Sequence, residues 1–202
     1  MQINSDFEVM IKLVIIGDSS VGKTNFIFQF TEGRFSTFHV ATVGFDYKTR
    51  IIKLPSSKKK VKLQIWDTAG QERYMALNKN LFQKVQGIIL MYDLTNRDSF
   101  ENLNSWLNLV TQNVSNKIIM LVGNKLDLAE EKRIVTETEG RMLAQDNKIL
   151  FSEASGSSGE NVDKVFIEIS EKIYFSIMEE KNDKNDNIVI SNNEKNGKKR
   201  CC

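Results

Sequence analysis

Short runs of apolar, largely β-branched residues recur along the chain at wide intervals: Met10 to Ile16, Val61 to Trp66, Ile88 to Tyr92, Ile118 to Val122 and Ile149 to Phe151. Near-continuous apolar runs are what strands covered on both faces require. Between them the apolar spacing becomes helical. After Asp98, the residues Phe100, Leu103, Leu107 and Val110 fall on one face. After Val135, Thr136 with Glu139 predicts a capping box, and from Asn161 a stripe of Val162, Val165, Phe166, Ile169, Ile173 and Ile177 predicts a long helix. Such alternation predicts an α/β fold, a parallel sheet with helices on both faces. One pair breaks the pattern. Val43 to Lys53 and Val61 to Asp67 are joined only by a segment centred on Pro55, Ser56 and Ser57, too short for a parallel crossover. The expected architecture is therefore three-layered, with a six-stranded, mostly parallel sheet and one antiparallel strand.

Past the last stripe the composition changes. Glu179 to Arg200 holds six Asn and eleven charged residues, with Ile188 to Ile190 its only large apolar cluster. Such a segment buries too little to offset the entropy of ordering, so 8–178 is expected as the folded domain and 179–202 as a flexible extension. The longest unbroken apolar runs are five residues, Ile88 to Tyr92 and Ile118 to Val122, against about 20 for a spanning helix. Met1 to Glu8 lacks the basic start and apolar run of a signal peptide, and Gln2 stands where N-myristoylation needs Gly. With 28 Lys and Arg against 26 Asp and Glu there is no broad basic field, so no nucleic-acid partner is expected. The only cysteines are Cys201 and Cys202, which excludes an internal disulfide framework and suits a reducing compartment.

Chemistry enters after the first strand. Gly17-Asp18-Ser19-Ser20-Val21-Gly22-Lys23-Thr24 matches G-x-x-x-x-G-K-[ST], the phosphate loop of P-loop nucleotidases. Its glycines let backbone N–H groups close round phosphate oxygens at a helix N-terminus; Lys23 reaches the β- and γ-phosphates and Thr24 offers a hydroxyl to Mg²⁺. The loop alone leaves ATP and GTP both open. Asn124-Lys125-Leu126-Asp127 follows another strand. The Asp127 carboxylate can accept from the adjacent N1–H and amine of guanine, a pair adenine lacks. Asn124 can brace the neighbouring loop, and the Lys125 stem can lie along the base. In Trp66-Asp67-Thr68-Ala69-Gly70-Gln71-Glu72, Asp67 can hold Mg²⁺ through water, Gly70 can present an N–H to a γ-phosphate, and Gln71 can orient the attacking water. Ile16, Trp66, Val122 and Phe151 each end a predicted strand, so the motifs gather at the carboxyl edge of the sheet, where open α/β folds bind ligands.

Taken together, GDSSVGKT, TVGFDY, WDTAGQERY and NKLD resemble the small GTPases of the Ras superfamily, and more narrowly the Rab family, over about residues 8 to 178. The resemblance implies a GTP-binding and GTP-hydrolysing switch in vesicle and membrane traffic. It implies that Thr42 ligates Mg²⁺ only with GTP bound and that Phe35 packs on the guanine. Ser155-Gly156-Ser157 stands where the family usually has Ser-Ala-Lys: Gly156 keeps its N–H for the guanine oxygen, while Ser157 lacks the lysine contact, which implies a weaker hold on the base. A γ-phosphate would draw Thr42 and Gly70 inward and hydrolysis would release them. No arginine stands in an obvious position to reach the γ-phosphate, so hydrolysis is expected to be slow until an activating protein supplies about 10³- to 10⁵-fold. The family's partners follow as expectations: an exchange factor, an activating protein, effectors, and an escort protein or dissociation inhibitor, acting on a monomer.

Two regions depart from the family pattern. The aromatic triad between the switches reads Tyr47, Trp66 and Leu81, and Tyr-Tyr-Arg-Gly has become Leu81-Phe82-Gln83-Lys84. His39, the only histidine, reads as a solvated loop residue. Cys201-Cys202 after Lys198-Lys199-Arg200 resembles a doubly prenylated Rab terminus and is not a C-a-a-X sequence. Two lipid chains anchor stably where one is marginal, and the basic residues add about 1 kcal/mol each near anionic lipid. Ile188 to Ile190 resembles the aliphatic motif that Rab tails offer to escort proteins. The resemblance thus places the protein on the cytoplasmic face of intracellular membranes, cycling with the cytosol. The alternatives are a Ras-superfamily signalling switch outside the Rab family, an ATP-using P-loop enzyme, and a nucleotide-binding module with little turnover.

Overall fold

In the computed structural model, residues 6–37, 45–68, 82–113 and 117–197 are described, with side chains to 181 except at 45 and 113. The sheet contains β1 (Val9–Ile16), β2 (Phe45–Lys53), β3 (Lys60–Thr68), β4 (Gly87–Asp93), β5 (Ile118–Asn124) and β6 (Leu150–Glu153) in the order β2-β3-β1-β4-β5-β6. All neighbours are parallel except β2 and β3, which pair antiparallel from Phe45↔Thr68 to Lys53↔Lys60. The hairpin expected round Pro55 is present. Leu54 is fully buried beneath its turn, and Lys58 takes φ +59° to close it.

Alternation along β1 shows how the layers form. Ile11, Leu13 and Ile15 enter one core with Phe26, Ile27 and Phe30 of α1 (Lys23–Glu32). Val14 and Ile16 point the other way, into a second core. That side is covered by the short α2 (Arg97–Glu101), by α3 (Leu103–Asn113) and by α5 (Glu137–Asp146), a turn of helix α4 (Ala129–Lys132) preceding α5. The Thr136 capping box forms in both directions, and Glu139 is further held by Arg97. The single helix expected after Asp98 is two segments that meet at Asn102.

The stripe from Val162 begins α6 (Val162–Gly197), whose Phe166 ring stacks on Phe30 at 3.9 Å and closes the first core. Among the residues whose side chains are described, the packed stripe runs to Ile177 and Met178. The backbone does not change there: α6 stays helical to Gly197, where a flexible extension was expected from about residue 180. The stretch 179–196 contains neither Pro nor Gly to stop a helix. Among the described residues, no helix is long and apolar enough to cross a membrane.

Candidate functional site

The sheet order places the end of β1 between β3 and β4, where the chain reverses direction across the sheet. The loop from Gly17 leaves β1 at that point through three positive-φ residues, Gly17 (+138°), Ser20 (+65°) and Gly22 (+98°), before α1 begins at Lys23. Glycine is required twice. A Cβ on Gly17 would stand 2.1 Å from the Met91 carbonyl oxygen, and one on Gly22 would stand 2.5 Å from Asn124 Nδ2. The loop therefore lies directly against β4 and β5.

Within it Lys23 is 5% exposed, and its Nζ donates to the carbonyls of Gly17 (2.9 Å) and Asp18 (2.7 Å). Burial pushes its pKa from 10.5 down to about 8, against the opposing pull of Asp67 and Asp18. An ammonium so held is a poor resident of an apolar interior and a strong partner for an anion. Beside it the Thr24 hydroxyl donates to Asp67 Oδ2 at 2.7 Å. The end of β3 that carries Asp67 is tied to β1 by the Thr68 hydroxyl, which donates to the Ile15 carbonyl. A hydroxyl and a carboxylate placed together are hard oxygen donors of the kind Mg²⁺ takes, so these residues fit that ion.

Asn124, 3% exposed, links two loops: its Nδ2 donates to the Val21 carbonyl (2.8 Å) and its Oδ1 accepts the Gly156 N–H (2.9 Å). The bracing role expected for it is present. The Gly156 N–H, expected to be available to a base, is engaged by Asn124 instead, because residue 156 lies tight against α1; a Cβ there would be 3.2 Å from the Phe26 backbone. Ser155 is fully buried. Its hydroxyl donates to Asp127 Oδ1 and accepts the N–H groups of Ser157 and Ser158, so it aims the Asp127 carboxylate. Ser157 is exposed. Lys125 takes φ +69°, and its ammonium is anchored on Asp93 at 2.6 Å. Asp93 in turn accepts from the Thr95 N–H and hydroxyl, which fixes where the lysine stem runs.

Phe35 is 43% exposed on the segment leaving α1. The next residue is clamped by Asn25, whose amide donates to the Ser36 carbonyl (3.0 Å) and accepts the Ser36 N–H (3.2 Å). Sequence reasoning missed Asn25; its one available signal was its place beside Thr24 in the first turn of α1. Tyr47 and Trp66 pair across β2 and β3 with rings 4.9 Å apart, while Phe82 of the altered stretch is a fully buried core residue. Thr42, Gly70, Gln71, His39, Leu81, Cys201 and Cys202 lie outside the described residues. The structure thus brings together Gly17 to Thr24, Asp67, Asn124, Lys125, Asp127 and Ser155 to Ser157 on one edge of the sheet.

The Ras family model matches residues 12–175. The chain is 36% identical to Ras-related protein Rab-10 of Diplobatis ommata over 197 residues, covering 97% of each. It is 38% identical to Ras-related protein RABE1e of Arabidopsis thaliana over 208 residues, 98% of this chain and 94% of that protein. Against Ras-related protein Rab-8B of Bos taurus it is 41% identical over 180 residues, 89% of this chain and 86% of that protein.

Proposed function

The chain belongs to the Ras family and, within it, to the Rab GTPases, and on that premise we propose how its residues carry out the work of a GTP-hydrolysing switch in membrane traffic. The observation that carries the reading is the buried Lys23 ammonium, held by two backbone carbonyls in a loop whose N–H groups and helix terminus favour an anion. Phosphates take the place beside it. Asp127, aimed by Ser155, reads the N1–H and amine of guanine. Asn124 keeps the base loop and the phosphate loop in one arrangement, and Phe35 covers the base. Thr24, with Asp67 through a water, would hold Mg²⁺, and Thr42 would join them when GTP is bound. The ion would supply charge neutralisation to the phosphates. Gln71 orients the attacking water, Gly70 donates its N–H to the γ-phosphate, and release of phosphate relaxes the segments that carry Thr42 and Gly70. The arrangement favours a 6-oxo-2-amino purine over adenine, which sets this reading above an ATP-using enzyme.

Residues 8–178 form the switch and 179–202 its tether, with Cys201 and Cys202 as prenylation sites. The tether reaches a cytosolic membrane face, and an exchange factor, an activating protein, an escort protein or dissociation inhibitor and effectors act on a monomer. Nucleotide competition tests the base assignment: GTP should displace labelled GDP and ATP should not, and equal displacement overturns it. Single-turnover phosphate release should fall when Gln71→Leu is introduced; equal rates reject the role given to Gln71. Removing Cys201 and Cys202 should move a tagged full-length chain from membranes to cytosol.

A further inference from the structure

Asp18 sets a carboxylate into a loop built to receive anions. Its backbone is in the phosphate cradle, since its carbonyl accepts the Lys23 ammonium at 2.7 Å. Its side chain leaves in another direction. Oδ1 accepts the indole N–H of Trp106 at 2.8 Å, and Oδ2 accepts the side-chain amide of Asn102 at 2.7 Å. Trp106 is 2% exposed and belongs to the second core, whereas Asn102 is exposed at the junction of α2 and α3. A negative group beside a di- or triphosphate repels it, and the repulsion falls with distance. Two donors that occupy both carboxylate oxygens keep that charge off the ligand's side of the loop. They also fix the peptide whose carbonyl carries Lys23.

We propose that Trp106 and Asn102 are positioning residues for the phosphate site: they hold the Asp18 carboxylate against the α2–α3 junction, away from the phosphates, and so set the Asp18 carbonyl under Lys23. The proposal rests on the nucleotide reading above. It gives an indole that otherwise reads as ordinary core packing a direct line to ligand retention. Asp18 is separated from Asn102 and Trp106 by 84 and 88 residues of sequence, so no local pattern announces the link.

The test is release of fluorescent GDP from the full chain into excess unlabelled GDP at fixed Mg²⁺. Trp106→Phe retains the ring and loses the donor; release should quicken about tenfold, the scale of one hydrogen bond to a charged group. Asn102→Ala, an exposed position, should quicken it about threefold and carries the same test if Trp106→Phe fails to fold. In an Asp18→Ala background both substitutions should change release less than twofold, because their target is gone. A second readout is the indole region of an amide correlation spectrum, where the chain's two tryptophans give two signals. The Trp106 signal should move on Asp18→Ala while that of Trp66 stays. Equal acceleration in both backgrounds would reduce Trp106 to core packing and overturn the proposal, as would no acceleration by either variant. A wild-type chain that does not retain labelled GDP overturns the nucleotide reading instead, and the indole shift then still decides whether the tie to Asp18 exists.

Discussion

Gly17→Ala separates two effects usually confounded in phosphate loops, backbone strain and lack of room. At Gly17 the backbone holds φ +138°, and an added Cβ would stand 2.1 Å from the Met91 oxygen and 3.1 Å from its carbon. Both atoms are backbone of a central strand, so neither can swing aside. Gly33, the C-cap of α1, also has positive φ (+63°), but nothing lies within 4 Å of its missing Cβ. Gly33→Ala therefore measures the left-handed backbone cost alone, about 1 kcal/mol. Gly17→Ala carries a backbone cost of its own, since φ +138° lies outside the well that Gly33 occupies, and adds the displacement of packed backbone, about 1–3 kcal/mol on the scale of overpacking, for about 3 kcal/mol in total. In a chain of this length each kcal/mol moves the thermal midpoint by about 2–4 °C. At fixed GDP and Mg²⁺, Gly33→Ala should lower it by about 2–4 °C and Gly17→Ala by about 6–12 °C. Only Gly17→Ala should also weaken retention of labelled GDP. Similar losses for the two variants would refute the argument that β4 is what excludes a side chain from the loop.

Lys23 makes a pH prediction. Its folded-state pKa of about 8 lies below the ordinary 10.5, so the nucleotide-free protein should lose stability as pH falls from about 10.5 to 8, where the buried amine must charge. A bound phosphate favours the ammonium, so GDP binding at pH 9 should take up about one proton and at pH 6.5 almost none through this group. Calorimetry in buffers of different ionisation enthalpy measures it, and equal uptake at the two pH values would count against a depressed Lys23. Asn25→Ala removes both contacts to Ser36, at about 1 kcal/mol each or less. It should speed GDP release about fivefold, with no further effect in a Phe35→Ala background; an undiminished effect there would separate Asn25 from the base. The Arg133 guanidinium makes two 2.7 Å bonds to Glu153, whose side chain is 9% exposed. Arg133→Ala should cost about 2–4 kcal/mol in urea unfolding by leaving that carboxylate without its counter-ion, and Arg133→Met with Glu153→Leu should recover most of it.

The fold was legible wherever a residue's role depends on near neighbours in sequence. The five apolar runs became strands, the turn at Pro55 became the hairpin, and Thr136 with Glu139 became a capping box. Within the loop from Gly17 to Thr24, the glycine-dependent backbone and the helix that follows it were legible from one peptide. Outside the named motifs, contacts between separate segments left no trace in the pattern. Asn25 reaching Ser36 and the pairing of Asp18 with Trp106 look, in sequence, like a polar helix residue and a core aromatic. Gly156 was assigned by its N–H alone, and the approach of its loop to Phe26, which turns that N–H onto Asn124, depends on tertiary packing. The helical continuation past residue 180 escaped a reading based on composition, because a helix satisfies its own backbone whatever side chains it carries.

The Asn124 amide has a mechanical consequence. Its NH₂ must face the Val21 carbonyl and its oxygen must face the Gly156 N–H, so the group fits in one orientation only. It works as a latch with two bolts across segments 103 and 32 residues away from it in the chain. Moving either loop outward breaks one of the two hydrogen bonds and leaves the buried amide half-satisfied, so each loop resists displacement of the other through this one side chain.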